Sequence, residues 1–367
     1  MKGQWIGKYT GDVDGKIMVN IDDVGKHYEV VAYINPYDKH IPSTVAYFDP
    51  IEKAEKVSVK AYLAPVNPEN GLQAKWEDIK GLFPDGVNHS NEADVDFVYD
   101  GTHLKISATT DIGVNFNSLI KKSEQKNDSS IDGIPMSWVE YKNHVSGLLG
   151  KGYLFRGQQK PWRLQTTFHR LGRYRISEFT NVDVKQLHQR LCAITPHFFD
   201  LNDPQQNGAF FNLLQHHGYP TPLLDWSYSP FVSAFFAFRD CAKNYSGDEA
   251  VRVYLFNYDK WKFIFPQITT LDPPFPHLSV TDFIALDNPR MIPQQALTTV
   301  TNLENIEAYL QEKEAETGEC FIEAIDIPAN DRELAMKELG YMGITAGSMF
   351  PGVDGVCEEL RERNFDK

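Results

Sequence analysis

The residues able to do chemistry fall into four clusters in the second half of the chain. The first is Leu154-Phe155-Arg156-Gly157-Gln158, followed by Trp162-Arg163-Leu164. An arginine at the end of an apolar strand, then a glycine, sets a cation at a strand terminus where backbone can approach a ligand closely. The second runs from Gln215-His216-His217-Gly218 through Leu223-Leu224-Asp225-Trp226-Ser227-Tyr228-Ser229-Pro230. It reads as a polar loop, a strand-like Leu-Leu, and a helix start with Ser229 as N-cap and Pro230 at the first helical position. The third is Asn288-Pro289-Arg290 with Gln294-Gln295-Ala296. The fourth is Gly343-Ile344-Thr345 with Phe350-Pro351-Gly352-Val353-Asp354-Gly355.

Around the first cluster the charge inverts. The chain of 367 residues carries 36 Lys+Arg against 50 Asp+Glu, a net −14. Yet no Asp or Glu stands between Tyr141 and Ser177, where Lys142, Lys151, Arg156, Lys160, Arg163, Arg170, Arg173 and Arg175 gather. No arginine at all precedes Arg156. Guanidinium is the group suited to bidentate phosphate or carboxylate contacts. Local anion binding is expected, with docking of the acidic first half as the plainer alternative. The global charge excludes an unselective DNA-coating protein.

Duller roles stand beside these. Arg156 also reads as a partner for Asp225 inside the sheet. His216 and His217 read equally as groups that complement a helix C-terminus or as one general acid or base near neutral pH. A metal site of His216, His217 and Asp225 is disfavoured, because adjacent histidines on one loop rarely face one ion. No metal is expected. Phe235-Phe236-Ala237-Phe238 reads as core, and Asp354-Gly355 as a turn.

The elements that must position these groups differ between the halves. In the first, Lys16–Asp22, His27–Ile34, Ser43–Phe48, Lys56–Leu63, Asp94–Tyr99 and Leu104–Thr109 are rich in Val, Ile, Tyr and Phe, and several alternate at period two. Turn residues separate them. An antiparallel β barrel or sandwich is expected over 1–120. The opening Gly3-Gln4-Trp5 is similar to the Gly-x-Trp of lipocalin-like barrels, and reads first as a tryptophan plugging one end of a β domain. The polar stretch 121–133 reads as a linker. Residues 134–367 then alternate helical segments (Val182–Ala193, Gly208–His216, Pro230–Lys243, Leu303–Glu316, Arg332–Leu339) with short strands (Tyr153–Arg156, Val251–Asn257, Cys320–Ile327), an α+β pattern. The four cysteines are far apart and form no CxxC pair. With no apolar run long enough for a signal or a membrane span, a cytoplasmic protein with no membrane partner is expected.

The clusters resemble the FRG-domain family, named for the Phe-Arg-Gly at 155–157. The resemblance continues through Gln158, Trp162 and Leu164, then Gln215 to Gly218, Thr221, Leu223 to Trp226 and Ser229-Pro230. It extends to Ala234, Phe236, Ala237, Arg290, Gln294-Gln295, Phe350 to Gly352 and Asp354-Gly355, and so spans 134 to 360. Pro222, Ser227 and Ala296 stand where the family usually has Arg, Thr and Gly. The series of an Arg-Gly strand, a Ser-x-Ser helix start and a late polar residue is also similar to ADP-ribosyltransferases. That similarity implies an ADP-ribosyltransferase-like α+β core with NAD as substrate. Arg156 would then hold a diphosphate or ribose oxygen, Ser227 with Ser229 would support the nicotinamide pocket, and Gln295 or Gln294 would act near the scissile bond. His217 joins Arg156, Ser229 and Gln295 as the catalytic set. Gly157, Gln158, Arg163, Asp225, Trp226 and Ser227 would hold the dinucleotide, with Trp226, Tyr228 or Phe235 stacking on its rings. No Glu stands beside Gln294-Gln295, and a Gln hydrogen-bonds a ribose hydroxyl but is no base.

Three functions are therefore expected, in this order. The first is an NAD-consuming ADP-ribosyltransferase or glycohydrolase acting on a macromolecular acceptor, of a kind suited to a toxin or antiphage effector. The second is a non-catalytic nucleotide- or phosphate-binding module. The third is RNA binding or processing. The β module would serve as sensor, inhibitory lid or docking surface for a protein partner.

Overall fold

The computed structural model describes residues 1–123, 127–239, 241, 249–284, 286 and 288–365. The first half forms nine strands: β1 (Gly3–Gly11), β2 (Gly15–Asp23), β3 (His27–Pro36), β4 (Thr44–Phe48), β5 (Ile51–Glu52), β6 (Lys56–Pro65), β7 (Glu92–Tyr99), β8 (His103–Thr110) and β9 (Asn115–Lys121). Each long strand pairs antiparallel with the next, and β9 returns to β1 at Tyr9↔Ser118 through Gly11↔Phe116. The result is an eight-stranded antiparallel barrel, with two-residue β5 extending the place of β4 beside β3. Closure satisfies the backbone groups an open sheet would leave at its edges. Period-two alternation turns Trp5, Ile17, Val19, Ala46, Phe97 and Ile106 inward. Trp5 closes one end: its indole N–H donates to the Met1 carbonyl at 2.8 Å and its ring meets Tyr99 edge-on.

The outer face of β2, β3 and β4 is not polar. Met18, Val31, Tyr33 and Val45 form a second cluster there, and the C-terminal region covers this wall. Tyr33 donates to the carboxylate of Asp272 at 2.7 Å, and Asn35 donates to the Pro274 carbonyl. The Gln4 side chain donates to the Asn302 carbonyl at 2.6 Å and accepts from the Glu304 N–H at 2.8 Å. Asp22 accepts from the Tyr174 N–H, and Glu29 pairs with Arg175. Arg173 and Arg175 of the acid-free window therefore face the acidic barrel.

The C-terminal region is built on a seven-stranded sheet in the order β10-β16-β13-β11-β12-β15-β14. Its strands are β10 (Gly133–Pro135), β11 (Tyr153–Gln158), β12 (Leu223–Ser227), β13 (Ala250–Asn257), β14 (Leu278–Thr281), β15 (Ala296–Thr301) and β16 (Ile322–Pro328). All neighbours are antiparallel except β10 with β16. Both faces are covered. Helices Trp138–Ser146, Pro230–Arg239 and Arg332–Tyr341 pack with Val251, Val253 and Leu255. Tyr254, Phe256 and Ile322 face helix Ile306–Thr317 and Trp261 instead. The fold is thus α+β, a closed barrel followed by a mixed region.

Segment 121–133 is bound rather than loose where it is described. Ser129 and Ser130 donate to the buried carboxylate of Glu307, which also receives the Leu164 N–H and the Tyr254 hydroxyl. Asp240, Ala242 and Lys243, at the end of one expected helix, lie outside the described residues, and the helix is seen to Arg239.

The barrel contact contains a titrating group. Burial raises the Asp272 carboxyl from its ordinary 3.8 to about 6, against the hydrogen bond from Tyr33 and the charge of Arg175. A carboxyl whose folded pKa is raised contributes stability that is full below the unfolded value and is lost as pH rises through the folded one. Asp272→Asn should therefore gain on the wild type in melting temperature as pH rises from about 4 to about 6.5. A difference flat across that window would show that Asp272 is not so perturbed.

Candidate functional site: a cationic cavity where two strands part

Strands β11 and β12 share one ladder position, Phe155↔Ser227. Beyond it β11 stays with β13 as far as Gln158↔Arg252, while β12 stays with β15. The strands diverge and a cavity of about 820 Å³ opens beside the gap. The broken ladder leaves the Asp225 carbonyl without a strand partner, and Arg156 supplies one: its Nη1 donates to that oxygen at 2.6 Å. Arg156 thus bonds the backbone of Asp225, not its carboxylate.

Gly157 has a structural cause. A Cβ there would lie 1.8 Å from the Ser233 carbonyl oxygen and 2.8 Å from the Ala237 nitrogen. The glycine lets helix Pro230–Arg239 lie directly on β11. Close approach by this helix, rather than by a ligand, accounts for Gly157. The helix begins as its sequence implies, with the Ser229 hydroxyl accepting from the Val232 N–H and Pro230 in the first turn.

Four arginines reach the cavity wall: Arg156, Arg163, Arg170 and Arg290. Arg163 pairs with Glu304 at 3.3 Å, while its Nε and Nη1 are buried without a partner. The others find no carboxylate among the described residues. Arg156 holds the Asp225 carbonyl, Arg170 donates to the Gln165 carbonyl, and Arg290 lies 5.0 Å from the Phe350 ring centre. Burial lowers the proton affinity of Arg156; the nearby Arg170 adds to this and Asp225 opposes it. A guanidinium remains charged under such pressure. Guanidiniums gathered with few carboxylates among the described residues are chemically suited to an anion.

Among the described residues, Asp225 is the one carboxylate on the wall. It is open to the cavity yet deeply surrounded, and that desolvation raises its pKa, against Arg156 and a hydrogen bond from Gln215. His216 also lines the wall. Burial, then Arg290 and His217, push its pKa down, so its imidazole is neutral at neutral pH. Trp162, 41% exposed, presents an indole at the rim, and Phe236 and Phe350 meet edge-on within the wall.

The structure sorts the residues singled out from the sequence. Arg156, Gly157, Gln158, Arg163, Asp225, Trp226 and Ser227 come together on this cavity. Ser229, Gln295 and His217 are not on its wall. Ser229 caps its helix. Gln295 ends the short helix Met291–Gln294 in the left-handed region, φ 47°, and its carbonyl accepts from the Tyr228 N–H. His217 is the C-cap of helix Pro204–His216. Their neighbours Gln294 and His216 face the cavity instead. Of the rings expected to stack, Phe235 is wholly buried, Trp226 is core with its N–H on Thr299, and Tyr228 packs on Tyr258. Trp162, Phe236 and Phe350 join Phe155 and Trp226 on the wall. Sequence reasoning left Arg170 and Arg290 out of the site. Their signals were present: Arg170 lies in the acid-free window, and Arg290 lies in the third cluster. No local pattern marks Glu304 or Glu307 as the groups that hold Arg163 and Leu164. Among the described residues no group of three potential metal ligands exists, and no helix is long and apolar enough to cross a membrane.

Residues 151–246 match the FRG domain. The chain carries an FRG domain. The matched stretch is shorter than the 134 to 360 read from the sequence, and Arg290, Gln294 and Phe350 complete the FRG cavity from outside it. No curated protein and no solved structure matches the chain.

Gly157→Ala should cost about 1–3 kcal/mol in chemical denaturation, because the added methyl meets helix backbone. A loss below about 0.5 kcal/mol, the scatter of ordinary surface substitutions, would show that the helix moves aside freely.

Proposed function

We propose that the FRG cavity binds NAD or a related dinucleotide through its diphosphate and cleaves the nicotinamide–ribose bond. The observation that supports this reading is the set of three guanidiniums that make no ion pair among the described residues, Arg156, Arg170 and Arg290, beside the carboxylate of Asp225 in a cavity of about 820 Å³. That volume lies within the usual range for small-molecule sites. The arginines would take the diphosphate oxygens. Trp162, Phe236 or Phe350 would stack on a ring of the ligand.

Asp225 would fill the part of the missing Glu. Loss of nicotinamide leaves positive charge on the ribosyl carbon, and a fixed carboxylate stabilises that charge. Water or a nucleophile of a macromolecular acceptor then forms the new bond at that carbon. Its proton passes to Asp225, whose raised pKa suits a general base. The barrel would act as a regulatory module, since Gln4 grips the backbone of Glu304, the partner of Arg163. A toxin or antiphage role extends the proposal by analogy alone.

A second reading, binding without turnover, draws on the serines. Ser227 donates its hydroxyl to the Gln294 carbonyl and accepts from the Ser229 N–H, and Ser229 is committed to its cap. Nicotinamide release from labelled NAD separates the readings. Wild type should release nicotinamide. Asp225→Asn should be about 100-fold slower, the lower end of the range for a lost proton-transfer group, with binding kept. Arg156→Ala should bind about 10–100-fold more weakly, as loss of a charge-assisted contact implies. Background release from all three proteins with wild-type binding intact would favour the second reading. Absence of binding would remove both.

A further inference from the structure

We propose that the lumen of the N-terminal barrel is a second binding site, for an uncharged, ring-sized organic molecule carrying one hydroxyl or carbonyl group. Eight-stranded barrels are just wide enough for inward side chains to fill them. This one is left unfilled by its sequence. Five alanines, Ala32, Ala46, Ala61, Ala93 and Ala108, point inward from five different strands, and a cavity of about 120 Å³ remains among them. Trp5 floors the barrel at one end. The opposite rim is apolar: Val13, Ile41, Ile112 and Val114 line the way in, and Ile112 is 51% exposed. A merely structural core has no need of an apolar rim facing solvent.

Two polar atoms on the wall point to what enters. The hydroxyl of Tyr9 and Nδ1 of His89 are buried and have no partner, although the residues are only 2% and 9% exposed. The other imidazole nitrogen of His89 is hydrogen-bonded with the Thr44 hydroxyl at 3.0 Å. Buried polar atoms without partners are costly, and a ligand hydroxyl or carbonyl reaching either would relieve that cost. Among the described residues no Asp, Glu, Lys or Arg lines the lumen, and burial pushes His89 down to about 4, so its ring is neutral. The ligand is therefore uncharged. An apolar cavity of about 150 Å³ accepts benzene, so a lumen of about 120 Å³ that opens at its rim sets the scale at no more than one ring, with any small substituent lying toward the opening.

Phenol is the probe, with toluene and benzoate as its partners in shape, followed by calorimetric titration and melting temperature. Phenol should bind the intact protein saturably at one site and raise its melting temperature by about 2–4 °C; benzoate should not. Ala46→Phe, which fills the lumen, should abolish the effect. Tyr9→Phe, a conservative change, should weaken phenol about five- to tenfold and leave toluene unchanged. Arg156→Ala should bind phenol as the wild type does, which separates this site from the FRG cavity. Non-saturable binding, survival of binding in Ala46→Phe, equal binding of benzoate, or loss in Arg156→Ala would each overturn the proposal. Should Ala46→Phe not fold, Tyr9→Phe and His89→Phe still decide: a phenol affinity unchanged in both contradicts it.

Discussion

The C-terminal sheet comes apart between β11 and β12, and the character of the site follows from that parting. One ladder position joins the strands. Past it, β11 is held by β13 on one edge and by helix Pro230–Arg239 lying on Gly157. The strand cannot follow β12, so its end projects Arg156 into the gap. The carbonyl freed on β12 then fixes that guanidinium at 2.6 Å. A break in hydrogen bonding thereby becomes an oriented cation beside a carboxylate, on rigid elements rather than on a loop.

Charge is distributed with the same economy. Around Arg156 the window lacks acids, and long-range neutralisation comes from elsewhere in the fold. Arg173 meets Asp22 and Asp183, Arg175 meets Glu29 and Glu178, and Arg163 meets Glu304. The barrel supplies Asp22 and Glu29. Arg156, Arg170 and Arg290 are the cavity arginines left without a carboxylate among the described residues, and all three are steadied by neutral partners, carbonyls for Arg156 and Arg170 and the Phe350 ring for Arg290. Phe350 lies between Arg290 and Arg239, 5.0 and 4.2 Å from their guanidinium carbons, which explains the Phe-Pro-Gly of the fourth cluster better than any direct chemistry does. The cavity arginines and the barrel contact thus draw on one basic segment.

Much of this was legible in the sequence, for reasons that can be traced to particular residues. Period-two runs mark β2, β3, β4, β6, β7 and β8. Strand β1 escaped because Gly3, Gly7 and Gly11 dilute its pattern, and β9 because Asn115, Asn117 and Ser118 do. The clusters at 155, 215, 225, 290 and 350 were visible as clusters, and the fold brings them to one wall. Which member of each faces inward was not visible. A step of one or two residues decides it in three places: His216 rather than His217, Gln294 rather than Gln295, and Ser227 rather than Ser229. Each depends on a local turn, a helix C-cap or a left-handed residue, whose phase a sequence window does not carry. Glu307 was illegible for a different reason. Its five hydrogen bonds come from residues 129, 130, 164 and 254, long-range partners with no spacing rule.

We propose that Arg156, Arg170 and Arg290, which meet no carboxylate among the described residues, hold a diphosphate. The most direct test is a crystal structure of the intact protein soaked with ADP-ribose. Both phosphates should lie among the guanidiniums of Arg156, Arg170 and Arg290, with a ribose facing Asp225. Phosphate density elsewhere on the protein, or a cavity that stays free of ligand at saturating concentration, would contradict it.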